Sequence, residues 1–379
     1  MCACERLPLG DPIRRQGPYS HNLSDVKDLI LGVRNDDLED LAVEDILSHW
    51  NQVIRSYSPG RLSYDSDKLV ALAGIVECFE RAFQAMVDAE AGDGDTPISG
   101  EDKKDEVKIE EMQTKLQQKL KISSEPLFLA GLWRPGIEGQ LAWRATSRVQ
   151  HHQLSGNAPP AAGKRFDKYV APTWSWCSIK DALVEPQQYV PLGHSFIRVL
   201  EAKVNPHPDF RPDGAANGLR YCCARGSYIR LQCSFLPIMG FGLVEGMKFP
   251  DLSKQERSMI NVESKNYWDV DFEQEATQCK EPCAVPVFVD TTRVVNPVHC
   301  LILDCREDEE GNRYFVRLGA MVLDQPNDVK SFWGAVNVFD EKYPGKGDKF
   351  DQILRLVPTT GKTEYEQRDG VLQRTLEIR

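Results

Sequence analysis

Metal binding, acyl transfer and phosphate binding each need particular side chains at particular spacings, and this chain offers partial matches to all three. Its seven histidines and eleven cysteines are the obvious metal ligands. His151 and His152 are adjacent rather than one helical turn apart. Cys279 and Cys283 have no second Cys or His pair nearby to close a tetrahedron, so no metal is expected. A serine nucleophile wants a strained Gly-x-Ser-x-Gly elbow. Gly193-His194-Ser195 begins one and meets Ile197 where the second glycine belongs. Leu356-Val357-Pro358-Thr359-Thr360-Gly361-Lys362-Thr363 ends like a phosphate-binding loop, but Leu356 stands at the first glycine position. A side chain there obstructs the backbone N–H groups that converge on phosphate. Gly240-Phe241-Gly242 lacks the third glycine of a dinucleotide loop. On these grounds no catalytic residue and no cofactor are assigned.

Trp174 and Trp176 are the most informative pair. In an extended segment residues i and i+2 share a face, and two indoles side by side bury a large apolar area and seek N–H acceptors. The expected role is a core anchor, with Ser175 and Cys177 facing the other way; the alternative is an aromatic platform for a ligand.

The elements that would position such residues follow from pattern and composition. The chain has 379 residues, 41% hydrophobic and 27% charged, which fits one large or two medium globular domains and excludes wholesale disorder, collagen repeats or a coiled-coil rod. A net charge of −11 argues against a nucleic-acid partner. No window approaches the ~18 consecutive apolar residues of a membrane span, and MCACERLPLGDPIRRQGPYS lacks the apolar core of a signal peptide. The expected location is therefore cytoplasmic, with reduced thiols behaving as small buried apolar groups.

Residues 1–24 read as loose and 25–90 as a helical hairpin. Within 36–57 an apolar stripe runs through Val43, Ile46, Leu47, Trp50, Val53, Ile54 and Tyr57, with Asp36, Asp37, Glu39 and Asp40 at its start and Pro59-Gly60 at its end. A second helix is expected over about 66–89, capped by Asp65 or Ser66, with Leu69, Leu72, Ala73, Val76, Phe79, Phe83 and Met86 as its stripe. Gly74 inside it costs about 1 kcal/mol against alanine, which suggests a close packing partner there. Residues 91–108 read as an acidic linker: the wider stretch 88–111 holds ten acids against three lysines, −7 of the chain's −11. A mixed segment follows over 109–185. It opens on an amphipathic face (Ile109, Met112, Leu116, Leu120) and carries Trp133, Trp143, Trp174 and Trp176. Residues 186–379 read as β-rich. Strands are expected at Phe196–Val204, around Ile229, Leu231 and Cys233, and at Val285–Val289; His299–Cys305 and Arg313–Leu318 should form a hairpin across the polar turn Glu307–Asn312. A strand near Gln352–Val357 and a loose tail complete the reading. The architecture is α+β, with the helical part packed on the β-rich part through the tryptophans.

Several segments in order resemble the fungal heterokaryon-incompatibility (HET) domain proteins. That family has a Tyr-Ser-x-Arg-x-Leu-Thr-type segment, here Tyr57-Ser58-Pro59-Gly60-Arg61-Leu62-Ser63. It leads into Asp-Lys-Leu-x-Ala-Leu-Ser-Gly-Ile, here Asp67-Lys68-Leu69-Val70-Ala71-Leu72-Ala73-Gly74-Ile75. The family's Tyr-x-Ala-Gly-Leu-Trp is met by Leu129-Ala130-Gly131-Leu132-Trp133, its Leu-Leu-Trp by Leu141-Ala142-Trp143, and its Ala-Pro-Ser-Trp-Ser-Trp-Ala-Ser by Ala171-Pro172-Thr173-Trp174-Ser175-Trp176-Cys177-Ser178. The resemblance covers residues 50–185 and continues loosely over 220–325, where Ile229-Arg230-Leu231 and Arg317-Leu318-Gly319 look like the family's variable tail. The segment that gives the family its name, with its Trp-Ile-Asp-x-x-Cys-Ile-Asn-Gln-like hallmark, is absent. So is the Arg-x-Trp-x-x-Gln-Glu-like segment. The chain thus looks like the family's C-terminal portion, and any role of the TIR-like named domain is not carried over. The resemblance implies a non-catalytic scaffold or regulatory module acting in nonself recognition and cell-death signalling through a protein partner. The alternative is a small-molecule or nucleotide-binding enzyme whose site the sequence does not advertise.

Overall fold

The computed structural model describes residues 42–92, 126–146, 163–187, 195–211, 217–234, 236–237, 265–270, 279, 282–290, 296–326, 328–329, 332–333, 367–368, 371–372 and 374–379. Helices come first and a large sheet later, an α+β architecture.

Helix α1 (Val43–Tyr57) carries Glu44 and Asp45 in its first turn and Arg55 in its last, the arrangement that complements a helix dipole. Its stripe buries Ile46, Leu47, Trp50, Val53 and Ile54; the acids at 36–40 lie outside the described residues. The second expected helix is two, α2 (Asp67–Val70) and α3 (Ala73–Gly92). The break has its cause in the preceding helix, α1. In a continuous helix the Lys68 carbonyl would accept from the Leu72 N–H. Here the Tyr57 hydroxyl donates to that carbonyl at 2.8 Å, and the Leu72 N–H turns to Leu69 O at 3.2 Å. The stripe survives the break, since Leu69, Leu72, Val76, Phe79 and Phe83 are all 1% exposed or less. Gly74 is exposed, and a Cβ built on it meets nothing within 4 Å, so the packing partner expected there is absent among the described residues.

The middle of the chain is short elements tied together. Strands β1 (Phe128–Leu129) and β2 (Leu132–Trp133) form a hairpin, followed by the single turn α4 (Ile137–Gln140) and β3 (Arg144–Thr146). Strand β4 (Lys164–Arg165) pairs with β5 (Ile179–Lys180), and β6 (Leu183–Glu185) returns to β3. Helix α1 is pinned to this region: Val184 N donates to Ser58 Oγ at 2.9 Å, and Asn51 Nδ2 donates to Gln187 O at 2.9 Å.

The remaining strands are β7 (Arg198–Lys203), β8 (Tyr228–Cys233), β9 (Leu236–Pro237), β10 (Lys265–Trp268), β11 (Pro282–Val289), β12 (Val298–Glu307), β13 (Arg313–Leu323), β14 (Gln367–Arg368), β15 (Val371–Leu372) and β16 (Arg374–Ile378). Eight of them form one sheet in the order β7-β8-β16-β13-β12-β11-β9, with β10 also on β13. The β12–β13 hairpin turns where the Asp308 carboxylate accepts from Asn312 N at 2.8 Å and Glu310 N at 3.1 Å. Residues 298–305 are all buried, the continuous burial of a strand covered on both faces.

The expected loose tail is corrected at its end. Strand β16 lies between β8 and β13, antiparallel to the first and parallel to the second. Leu376 and Ile378 are buried, and Glu377, also buried, is held by Arg230 at 3.2 Å and Arg379 at 2.9 Å. The strand expected near Gln352–Val357 lies outside the described residues. The nine described cysteines are free thiols, seven of them buried. Among the described residues no helix is long and apolar enough to cross a membrane.

Candidate functional site in the tryptophan core and the lysine cleft

The two-residue turn of the β1–β2 hairpin requires positive φ at both positions, and Ala130 (φ 49°) and Gly131 (φ 109°) supply it. This turn is the centre of the cluster. The Gly131 carbonyl accepts two indole N–H groups, from Trp176 at 2.7 Å and from Trp50 at 3.2 Å. The Ala130 carbonyl accepts from the Ser175 hydroxyl, whose oxygen in turn accepts from Cys177 N at 2.9 Å. A Cβ at position 131 would sit 2.9 Å from both Cys177 Sγ and Trp176 Nε1 and 3.2 Å from Ser175 Oγ, so only glycine fits. Trp50 then meets Trp133, Phe79 and Phe128 edge-on at 5.4, 5.3 and 5.8 Å between ring centroids. Gln140 clamps the Trp133 backbone, accepting from its N–H at 2.9 Å and donating to its carbonyl at 2.8 Å.

A buried charge network fastens this cluster to the large sheet. Arg317 on β13 is 1% exposed and Asp269 is fully buried. Arg317 donates Nε to Asp269 Oδ2 at 2.9 Å and Nη2 to Oδ1 at 3.3 Å, and it also donates Nη1 to the Leu141 carbonyl and Nη2 to the Trp143 carbonyl. Its guanidinium lies 3.7 Å from the Trp143 ring centroid, and the Trp143 indole donates to Trp174 O at 2.9 Å. Arg165 bridges from the other side, donating to Arg317 O and to Ser178 Oγ, each at 2.6 Å. Burial lowers the Arg317 pKa and the Asp269 carboxylate opposes that; a guanidinium so bonded stays charged.

Against the cluster lies a cleft of about 220 Å³, bordered by Tyr57, Arg61, Leu62, Asp65, Lys68, Phe166, Lys180 and Asp181. Lys68 is its buried cation, 5% exposed. Its ammonium donates to Ile179 O and sits 5.4 Å from the Phe166 ring centroid and 5.5 Å from that of Trp176. Burial lowers its pKa, opposed by Cys177, Asp65 and Asp181. The cleft's other cations are matched at the rim: Lys180 pairs with Asp65 at 2.7 Å and Arg61 with Asp181 at 3.8 Å. Trp176 is fully buried and does not border the cleft.

The motif residues therefore divide. Lys68, Leu69, Gly131, Leu132, Trp133, Trp143, Pro172, Trp174, Ser175, Trp176 and Ser178 are all buried, and the bonds described above tie the four segments to one another. Asp67, exposed at the start of α2, and exposed Gly74 stand outside this interior. The expected extended geometry at Trp174 and Trp176 is replaced by a turn: Ser175 N donates to Pro172 O at 3.0 Å, and Trp176–Ser178 form a 3-10 turn. The four side chains from Trp174 to Cys177 are buried together rather than divided between two faces. Burial pushes the Cys177 thiol up to about 12, which favours its protonated form, and the Ser175 hydroxyl is committed to backbone groups, so neither of these two side chains is poised as a nucleophile.

Sequence reasoning missed Asp269 and Gln140, and it placed Arg317 in a loosely family-like segment without giving it a role. Arg317 interrupts an otherwise apolar strand, the one available hint, whereas nothing around Asp269 marks it. His151, His152, Gly193, His194, Gly240–Gly242 and Leu356–Thr363 lie outside the described residues. Among the described residues no group of three or more His, Cys, Asp or Glu side chains could hold a metal ion. No family model, curated protein or solved structure matches this chain.

Proposed function

We propose that this chain is a non-catalytic scaffold or regulatory module of a fungal heterokaryon-incompatibility-type protein, acting in the cytoplasm through protein contacts in nonself recognition and cell death. One observation carries the reading: within the family-like segments, Ala130, Gly131, Leu141, Trp143, Ser175 and Trp176 are tied into the interior around the Gly131 carbonyl and Arg317, and no nucleophile–base pair is built among them. Backbone carbonyls, indoles and a hydroxyl bonded to one another in the interior favour a rigid body, which is what a scaffold presents to a partner, although the buried indole N–H groups of Trp133 and Trp174 have no acceptor among the described residues. The test is inducible expression of the chain in a filamentous fungus during fusion of incompatible strains, with vital-dye scoring of fusion cells. The intact chain changes the dead fraction, and a Gly131→Val chain at equal message level does not. An unchanged dead fraction with the intact chain contradicts the proposal.

A further inference from the structure

A buried ammonium needs a counter-charge or a full set of acceptors, because transfer out of water is costly for a charge left without either. Lys68 carries three N–H donors, and its polar partner among the described residues is a single carbonyl, that of Ile179. The faces of Phe166 and Trp176 supply weaker attraction, and no described carboxylate lies within ion-pair distance of it. Its remaining N–H groups belong to a residue that borders an open cleft.

The charge of the ligand follows from the neighbours. Lys180 and Arg61 are each already matched to a carboxylate, Asp65 and Asp181, so among the described residues one cation of the cleft, Lys68, is left without a carboxylate. A monoanion balances it; a dianion would also meet the two carboxylates at the rim. The walls are mixed, with Phe166, Tyr57 and Leu62 offering apolar surface beside the ammonium. About 220 Å³ is below the range of drug-sized pockets and suits a short body bearing one acid group. We infer that the Lys68 cleft binds a small organic monocarboxylate, its carboxylate on the Lys68 ammonium and its apolar body against Phe166 and Tyr57. Lys68 also stands in a family-like segment, but the inference rests on its geometry and holds whether or not the family reading does. Lys68 is here a binding residue, and no bond is made or broken.

The test titrates the full chain with benzoate, with neutral benzamide and with inorganic phosphate, read by thermal shift and ligand-observed NMR. Benzoate binds saturably, benzamide does not, and phosphate binds no more tightly than benzoate. Lys68→Met keeps the aliphatic stem and weakens benzoate by about tenfold or more, the loss of one charge-assisted hydrogen bond. Should that variant not fold, acylation of Lys68 in the unaltered chain, mapped by mass spectrometry, decides: benzoate slows it and benzamide leaves it unchanged. No saturable binding of benzoate, equal binding of benzamide, tighter binding of phosphate, undiminished affinity in Lys68→Met, or acylation indifferent to benzoate each overturns the inference.

Discussion

Replacing Gly131 with alanine perturbs the smallest residue in the cluster and the one on which most depends. Three effects add. The backbone at φ 109° is one that L-residues rarely adopt, at roughly 1–2 kcal/mol. The new methyl sits 2.9 Å from Cys177 Sγ and from Trp176 Nε1; displacing packed side chains of this kind costs about 1–3 kcal/mol. Moving the Trp176 ring loosens its 2.7 Å bond to the Gly131 carbonyl, a further ~1 kcal/mol. The total, about 3–6 kcal/mol, is a large share of the ~5–15 kcal/mol that holds a typical protein folded. Urea denaturation followed by circular dichroism measures it. Gly74→Ala is the matched control: the same added methyl enters open space in a helix and should leave stability unchanged or raise it by up to about 1 kcal/mol. A Gly131→Ala chain within ~0.5 kcal/mol of the parent, the range of inert surface changes, refutes the close-approach argument.

Other perturbations test other joints. Trp174→Ala removes a fully buried indole and should cost about 3–5 kcal/mol; an unchanged thermal melt would defeat the core assignment. Arg317→Ala removes the closer cation from the buried Asp269 carboxylate, leaving it Arg165 at 3.6 Å, and should cost about 3 kcal/mol or more. Adding Asp269→Ala should recover part of that, and a double-mutant cycle with no coupling contradicts the pairing. Burial pushes the thiols of Cys177 and Cys223 up to about 12. At pH 8, below those values, both stay protonated and should resist iodoacetamide in the native chain yet react after unfolding; rapid native labelling, mapped by peptide mass, would show the thiols to be open.

What the sequence discloses is governed by distance along the chain. The α1 stripe is written in consecutive turns, and Ile46 through Ile54 are buried where the period places them. The β12–β13 hairpin is similarly local, two apolar runs about one polar turn. The break between α2 and α3 is invisible because its cause, the Tyr57 hydroxyl on the Lys68 carbonyl, arises from another helix while the period continues across the gap. Strand β16 is five residues with two charges, and burying Glu377 becomes tolerable only once Arg230 and Arg379 are beside it. The burial of Trp174 and Trp176 follows from their size, but their geometry does not: the Pro172–Ser178 turns are set by a carbonyl contributed from Gly131, 45 residues away. Arg317 and Asp269 are 48 positions apart, and neither is informative alone. The Lys68 cleft is of the same kind, because a lysine in a helical pattern reads as solvated until Ile179 and Phe166 are seen to enclose it.

The account rests on the tryptophans being a closed interior. Indole N–H hydrogen exchange, followed by NMR on the chain carrying 15N-labelled tryptophan, addresses this at the atoms concerned. The Nε1–H groups of Trp50 and Trp176, both donated to Gly131 O, and that of Trp143, donated to Trp174 O, should exchange only through global unfolding, with protection that falls in step with stability as urea is added. Exchange of the Trp176 indole at the rate of a free indole, in a chain that is otherwise folded, would mean that the cluster opens to water and that the scaffold reading is wrong.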